Sequence, residues 1–150
     1  ETLQGFVHDE ASAFFGGLAG NAGLFSTARD VARVYQMLLN GGEIDGQRYL
    51  SKETCQLFTT ETSKISRRGL GFDKPDADDP KKGNCAPAAP AEVYGHTGFT
   101  GTCAWVDPVN ELVYVFLSNR IYPDVTNRKL NQLHIRERIQ GAIYDAMKKK

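Results

Sequence analysis

At 150 residues, with 41% hydrophobic and 24% charged side chains, the chain has the composition of one globular domain, which argues against disorder. Eighteen basic side chains balance eighteen acidic ones, so no overall field would attract nucleic acid or an anionic membrane. No apolar run approaches the roughly 20 residues of a membrane-spanning helix, and no signal peptide is evident. Because the chain starts at Glu1 rather than Met, we expect it to be a fragment of a longer protein.

The first 25 residues are rich in glycine and short on helical periodicity. Glycines at this density permit positive φ and close backbone packing, so we predict a tight, mostly buried connection over residues 1–25. A phosphate-binding loop is disfavoured here, because neither GxGxxG nor Gly-Lys-Ser/Thr occurs.

Two helices are predicted in the first half of the chain. Ser26 or Thr27 can cap the first helix, which ends near Leu39. Its apolar stripe, at i, i+3, i+4 and i+7, consists of Val31, Val34, Tyr35 and Leu38. Ser51 can cap a shorter helix that runs through Phe58. The side chains that should point inward from it are Cys55 and Phe58.

The last third of the chain changes to a strand pattern. Three β-rich runs cover residues 93–98, 101–106 and 112–118. Residues 107–111 join the last two runs as a hairpin turn. Since residues 112–117 are apolar on both sides, we expect this strand to lie centrally in the sheet, covered on both faces. A final helix should start near Asn127 and pack across the sheet through Ile135, Ile139, Ala142, Ile143 and Ala146.

A loop rich in proline separates these two halves. From residue 73 to residue 90 the composition shifts to Asp, Pro, Lys, Gly and Ala, which excludes long regular elements. We predict a long surface loop that is either a functional rim or a mobile segment. The single domain is therefore divided into a helical part (1–60), a loop (73–92), and a sheet with a C-terminal helix (93–150).

Cysteines and acidic residues give no sign of a metal or a cofactor, and none is predicted. The three cysteines, Cys55, Cys85 and Cys103, are too few and too far apart for a disulfide framework or a CxxC motif. We expect ordinary small side chains, and one disulfide between two of them is left open. His8-Asp9-Glu10 is interpreted as structural or surface, because adjacent residues of an extended segment point to opposite faces.

His96 is the one histidine of three whose surroundings suggest chemistry. It lies on a predicted strand between Gly95 and Gly98, next to Thr97, whereas His134 is interpreted as a helix-surface residue. Small residues beside a polar pair let a substrate backbone approach the strand and leave amide donors accessible. Such donors can bind a substrate carbonyl and its developing oxyanion. The plain alternative is a glycine-broken strand with an internally bonded histidine.

Six segments in order resemble the C-terminal part of the serine β-lactamase, DD-peptidase and esterase superfamily, in its β-lactamase-related branch. They are 5–10 (GFVHDE), 16–28 (GGLAGNAGLFSTA), 68–73 (RGLGFD), 94–102 (YGHTGFTGT), 105–108 (WVDP) and 115–120 (VFLSNR). Each segment is moderately specific to the family, and their order and spacing together make the resemblance strong. The resemblance implies an α+β fold: a partial β-lactamase-like domain with a three-stranded antiparallel sheet, a packed C-terminal helix and an N-terminal helical segment.

The resemblance also assigns roles to residues 96–100. In the family a Lys-Thr-Gly strand lines the cleft, and His96-Thr97-Gly98 occupies its place, as in some DD-peptidases and esterases. His96 would then be an accessory catalytic residue, and the Phe99 backbone amide an oxyanion donor. Thr97, Gly98 and Thr100 would bind substrate. A neutral imidazole lacks the constant charge of lysine, so activity is expected to vary through roughly pH 6 to 7.

The family's other two motifs are missing from this sequence. No serine has a lysine three positions on, and neither Tyr-x-Asn nor Ser-x-Asn occurs. In the family both motifs lie N-terminal to the region that resembles this chain. Of the roughly five strands in the family's sheet, this chain should contain three, which leaves one edge of the sheet exposed. Partners are therefore expected to be the N-terminal remainder of the domain or a second copy. Asn21 stands where relatives often have His.

The leading hypothesis is a fragment of a serine hydrolase that forms an acyl-enzyme on a D-amino-acid peptide, a β-lactam or an ester. The parent would be periplasmic or extracellular, and the isolated chain inactive. The alternative is a non-catalytic module that binds peptide or glycan, or assists assembly, in cell-wall metabolism. A third, weaker hypothesis is that the basic C-terminal helix binds membranes or nucleic acid, although lysines there also complement the helix dipole.

Overall fold

The computed structural model describes residues 4–60, 63–76, 78–79 and 83–148. Its elements are α1 (Glu10–Phe14), α2 (Ala28–Leu39), β1 (Glu43–Ile44), β2 (Gln47–Arg48), α3 (Lys52–Thr59), β3 (Tyr94–Thr97), β4 (Cys103–Asp107), β5 (Leu112–Phe116), α4 (Lys129–Gln132) and α5 (Ile135–Met147). Strands β3, β4 and β5 form an antiparallel sheet in that order, and β1 and β2 form a two-stranded sheet. The α+β class with a three-stranded antiparallel sheet is confirmed.

The central strand of this sheet is β4, whose residues are all buried. The expectation that residues 112–117 lie centrally is wrong, because β5 pairs with β4 alone among the described residues and only its Tyr114 is buried. Two consecutive hairpins place the middle strand of the three at the centre. Apolar side chains indicate that the faces of a strand are covered, but they do not indicate which strands pair with it in the sheet.

The sheet is covered on both faces. On one face Trp105 and Tyr114, paired across β4 and β5, pack with Val93 and Ile143. The opposite face carries Tyr94, whose ring contacts Phe72 with 5.3 Å between centroids, and Phe72 in turn contacts Tyr35 of α2 at 6.1 Å. These edge and tilted ring contacts join α2 to the strand that bears His96.

The two predicted helix starts are confirmed. Thr27 caps α2: its hydroxyl oxygen accepts from the Asp30 N–H at 3.2 Å and its hydroxyl donates to the Asp30 carboxylate at 2.9 Å. Ser51 caps α3 in the same manner through the Thr54 N–H. Two of the inward assignments are wrong, since Val34 and Phe58 are exposed. Both lie at the margin of their apolar stripe, and the packed face of each helix is narrower than the stripe.

The C-terminal helix is interrupted and buries a different face from the predicted one. It begins at Lys129 rather than Asn127 and breaks at His134, whose φ is +49°. The buried residues of α5 are Arg136, Gln140 and Tyr144, whereas Ile139, Ala142 and Ala146 are exposed. Polar side chains turn inward because they have partners there: Gln140 accepts from the Ala86 N–H at 2.8 Å, and Tyr144 donates to Asp107 at 2.8 Å. The expected packing on the sheet is confirmed by Ile143.

Residues 4–25 do not form the mostly buried connection predicted for residues 1–25, of which 1–3 lie outside the described part. Phe14 is 87% exposed and Leu24 is 86% exposed. The glycines do allow a tight turn: a Cβ on Gly23, at φ +120°, would lie 2.2 Å from the Gly17 carbonyl oxygen. Close backbone packing thus occurs, but apolar side chains beside it, such as Leu18 and Leu24, are exposed.

The proline-rich segment is less superficial than predicted. In its described part no helix or strand occurs from 74 to 93, as expected, while residues 77 and 80–82 lie outside that part. Asp73, Lys74, Cys85 and Ala86 are nonetheless buried. The segment is therefore anchored to the sheet at both ends. Over the described ranges, no helix has the length and apolarity that crossing a bilayer requires.

Candidate active site

The outer edge of β3 is partly open. The Gly95 N–H donates to Asp73 at 3.0 Å and its C=O accepts from Asp73 at 2.7 Å, on the side away from β4. Backbone groups of an antiparallel strand alternate in direction, so those of Thr97 point to the same side as those of Gly95. The N–H groups of Thr97 and Phe99 have no acceptor among the described residues, whereas the Thr97 C=O lies 2.7 Å from His96 Nδ1 and the Phe99 C=O accepts from Arg120 Nε at 2.8 Å. Beyond Asp73 this edge can pair with an extended ligand.

The glycines around His96 have a packing role. A Cβ on Gly95 would lie 2.1 Å from the Ala104 carbonyl oxygen and 2.7 Å from the Trp105 ring. A Cβ on Gly98 would lie 2.4 Å from the Thr102 hydroxyl. Close contact with β4 requires Gly95, and close contact with Thr102 requires Gly98, so their presence alone does not indicate a ligand.

His96 is exposed and its two ring nitrogens have different partners. Nδ1 lies 2.7 Å from the Thr97 carbonyl oxygen, and Nε2 lies 3.3 Å from the terminal nitrogen Nη1 of Arg68. A guanidinium only donates hydrogen bonds, so Nε2 accepts and Nδ1 carries the proton. An internally bonded histidine was the plain alternative, and the bond to Thr97 fits it in part.

Arg68 belongs to a cluster around a buried carboxylate. Asp73 is 1% exposed, and Arg67 binds both of its oxygens, with Nε 2.9 Å from Oδ1 and a terminal nitrogen 3.0 Å from Oδ2. Asn84 donates to Oδ2 at 2.8 Å, and the Arg68 Nε lies 3.9 Å from Oδ1. Arg67 therefore already balances the carboxylate charge. Arg68, whose side chain is 54% exposed, adds a positive charge next to His96.

Sequence reasoning missed the role of Arg68. The residue falls within one of the resembling segments, 68–73, but nothing in the local pattern indicates a contact with a strand 28 positions later. The available signal was the resemblance of segment 68–73 to the family, and it gave no partner for Arg68.

The turn after β3 holds the remaining candidate residues. Gly98 donates to the Thr102 carbonyl at 2.8 Å and accepts from Gly101 at 2.9 Å. The Thr100 carbonyl accepts from the Arg120 N–H at 2.9 Å, so this part of Thr100 faces away from the strand edge. Phe99 is 63% exposed. All five candidate residues thus lie on one strand and the turn that follows it.

The segment around His8 also approaches this turn. The His8 ring stacks on the Phe99 ring with 5.5 Å between centroids, which sequence reasoning did not predict. Asp9 caps α1 by accepting from the Ser12 N–H at 2.7 Å, and this bond lowers the pKa of its carboxyl group. Asn21 donates to Asp9 at 3.0 Å, and no hydrogen bond joins it to the His96 strand within the described part of the chain. Over the described ranges, no cluster of His, Cys, Asp or Glu has the arrangement of a metal site.

The three cysteines are buried and unpaired. Burial raises the pKa of the Cys85 thiol to about 12 and that of Cys103 to about 11. Thiols with such pKa values stay protonated near neutral pH and are poor nucleophiles. Their packing in the core agrees with the expectation of ordinary small side chains.

Comparison with known proteins gives the family. A family model described as Beta-lactamase matches residues 3–137. A curated relative from Escherichia coli (strain K12), named "Putative D-alanyl-D-alanine carboxypeptidase", is 37% identical over 131 residues, which are 87% of this chain and 30% of the relative. Proteins of the same name from Salmonella agona (strain SL483) and Escherichia coli O157:H7 are 37% and 38% identical. The chain spans 30% of the length of these relatives. It belongs to the beta-lactamase family, within the serine β-lactamase and DD-peptidase superfamily.

Proposed function

We propose that this chain forms one wall of the active-site cleft of a serine hydrolase that works through an acyl-enzyme. The observation that carries the proposal is the β3 edge, where Asp73 pairs with Gly95 and the N–H groups of Thr97 and Phe99 have no acceptor among the described residues. An extended substrate can pair with this edge as a further strand. The Phe99 N–H would then stabilise the oxyanion of the tetrahedral intermediate.

The preferred substrate class is a peptide that ends in a D-amino acid with a free carboxylate. Two observations support it over a neutral ester: the positive charge of Arg68 next to His96, and the name of the relatives, which describes a carboxypeptidase. A carboxypeptidase removes the last residue, so its substrate carries a terminal carboxylate. Arg68 and the Thr97 hydroxyl would bind this group, because guanidinium and carboxylate form charge-assisted hydrogen bonds.

The nucleophile has to come from outside this chain, since no Ser-x-x-Lys occurs in its sequence. We expect the rest of the domain to supply it and to cover the exposed side chains of Phe14, Leu18 and Leu24. A second copy pairing through a sheet edge is the alternative cover. A D-alanyl-D-alanine substrate would be met in the cell envelope, so we expect the parent protein in the periplasm or outside the cell.

Covalent labelling tests the proposal. The full-length protein should be labelled by a fluorescent penicillin at a serine outside residues 1–150, and it should release D-alanine from a peptide that ends in D-alanyl-D-alanine. The isolated chain should do neither. Labelling of a serine within the chain, lost when that serine is mutated, would contradict the proposed division of roles.

A second candidate function is favoured by the lack of a Ser-x-x-Lys motif in this sequence. In that case the chain is part of a non-catalytic module that binds peptide or glycan, or assists assembly. The two candidates differ in one feature of the protein that contains this chain. A Ser-x-x-Lys within about 200 residues N-terminal to Glu1 favours the hydrolase, because the family places its nucleophile there. If that motif is missing and peptide binds without turnover, the module is supported.

A further inference from the structure

The direction of the Phe99 N–H is fixed by the turn that contains it. Gly101 donates to the Gly98 carbonyl at 2.9 Å. A trans peptide holds its C=O and N–H in opposite directions, so this bond also sets where the Phe99 N–H points. The Gly98 N–H, bonded to Thr102 at 2.8 Å, ties the start of the turn to β4. The orientation of the proposed oxyanion donor therefore depends on how well this turn is held.

Arg120 holds the next peptide and the side chain of Phe99. Its Nε donates to the Phe99 carbonyl at 2.8 Å, and its own N–H donates to the Thr100 carbonyl at 2.9 Å. The guanidinium carbon lies 4.6 Å from the centroid of the Phe99 ring, within cation–π range. One residue thus contacts both the backbone and the ring of Phe99.

His8 supplies the second contact to the ring. The two rings are inclined by only 20°, with 5.5 Å between their centroids. His8 is itself presented by an anchored segment, because Val7 is buried and Asp9 caps α1. Phe99 is 63% exposed, so no core packing holds its ring in place. Its position depends on His8 and Arg120.

We propose that His8 and Arg120 clamp Phe99 and act as positioning residues for the Phe99 amide in the oxyanion hole. The inference rests on the proposed function, because an amide that binds no oxyanion needs no such alignment. Preorganised donors act on the transition state, so a loosened clamp should slow the chemical step and leave substrate binding unchanged. His8 acts through its ring face, and a phenyl ring can replace it.

The test uses the full-length protein and four enzymes: wild type, His8→Ala, His8→Phe and the control His134→Asn. His8→Ala should lower kcat about tenfold with KM unchanged, which is less than the ~100- to 1000-fold lost when an oxyanion donor is removed. His8→Phe should restore kcat, because it keeps the stacked ring. His134→Asn replaces an exposed histidine at the junction of α4 and α5 and keeps a residue type that tolerates positive φ, so kcat should not change.

Two kinetic outcomes would overturn the clamp: an unchanged kcat in His8→Ala, or a failure of His8→Phe to restore it, which would indicate a hydrogen-bonding or proton-transfer role. A wild type that neither labels nor turns over would instead reject the proposed function. Amide hydrogen exchange over residues 98–101 then decides the clamp. Faster exchange in His8→Ala that is reversed in His8→Phe supports it, and equal exchange in all four proteins contradicts it.

Discussion

A terminal nitrogen of Arg68 lies 3.3 Å from Nε2 of His96, and the donor in this contact can only be the arginine. In this contact Nε2 accepts, which places the ring proton on Nδ1, directed at the Thr97 carbonyl oxygen 2.7 Å away. In the family's Lys-Thr-Gly strand, one lysine side chain lines the cleft and also provides the positive charge. We propose that in this chain His96 stands at the position of that lysine and Arg68 supplies the positive charge.

Removal of Arg68 should weaken binding of anionic substrates selectively. In the full-length protein, Arg68→Ala should raise KM for a D-alanyl-D-alanine peptide about 10- to 100-fold, since a charge-assisted hydrogen bond contributes about 1.5–3 kcal/mol. KM for a neutral ester should stay within about twofold, because it has no carboxylate to lose. Arg138→Ala, which removes an exposed arginine on α5, is the matched control. Equal loss on both substrates would reject Arg68 as the carboxylate ligand.

His96→Ala should impair turnover without unfolding the domain. The side chain is exposed and, among the described residues, its ring bonds only Arg68 and Thr97, so the melting temperature should fall by no more than about 2 °C. We expect kcat/KM to fall about 10- to 100-fold, as is typical when a positioned hydrogen-bonding group is lost from the site. Steady-state kinetics and thermal unfolding of the same preparation check both parts. Unchanged kinetics would remove His96 from the site.

Features set by neighbouring residues could be predicted from the sequence. Thr27 and Ser51 cap their helices because a hydroxyl reaches amides three residues on, and the turn at 107–111 follows from Asp107 accepting from the Val109 and Asn110 amides. These bonds need no knowledge of the rest of the fold. The same holds for the three strand segments, whose β-rich composition is local.

Features set by distant partners could not be predicted. Gln140 turns inward because the Ala86 N–H, 54 positions away, needs an acceptor, and apolar periodicity gives no sign of that donor. The edge position of β5 depends on what else pairs with it. The contact between Arg68 and His96 joins residues on either side of a long loop. In the candidate site the strand and its turn were predicted, whereas Arg68 and His8 were not.

Asp73 should stabilise the domain through its ion pair with Arg67. Asp73→Asn removes the charge that binds Arg67 and leaves a part-buried guanidinium without its counter-ion. We expect the free energy of unfolding of the domain to fall by about 3 kcal/mol, the low end for a broken buried ion pair because Arg67 reaches solvent. Urea unfolding of the full-length protein measures this. Asp78→Asn, at an exposed carboxylate of the same loop, should change it by less than about 0.5 kcal/mol.

Alkaline pH should destabilise this part of the protein through its buried thiols. Burial raises the pKa of Cys85 from 9.0 to about 12 and that of Cys103 from 9.0 to about 11. Well below pH 9 both thiols are protonated in the folded and in the unfolded chain, so they do not change the free energy of unfolding. Above it the unfolded chain releases these protons while the folded chain keeps them, so the free energy of unfolding falls as pH rises. Each thiol contributes up to about 1.4 kcal/mol per pH unit in this window.

Urea unfolding of the full-length protein at pH 8 and pH 10 measures the effect, and Cys85→Ala isolates it. That variant loses core packing at every pH, but its unfolding free energy should depend less steeply on pH than that of the wild type. The buried tyrosines Tyr94, Tyr114 and Tyr144, whose pKa values burial also raises, should keep part of the slope. Tyr122→Phe, at an exposed tyrosine, should leave the slope unchanged. A slope identical in Cys85→Ala and wild type would mean that Cys85 does not carry this pH dependence.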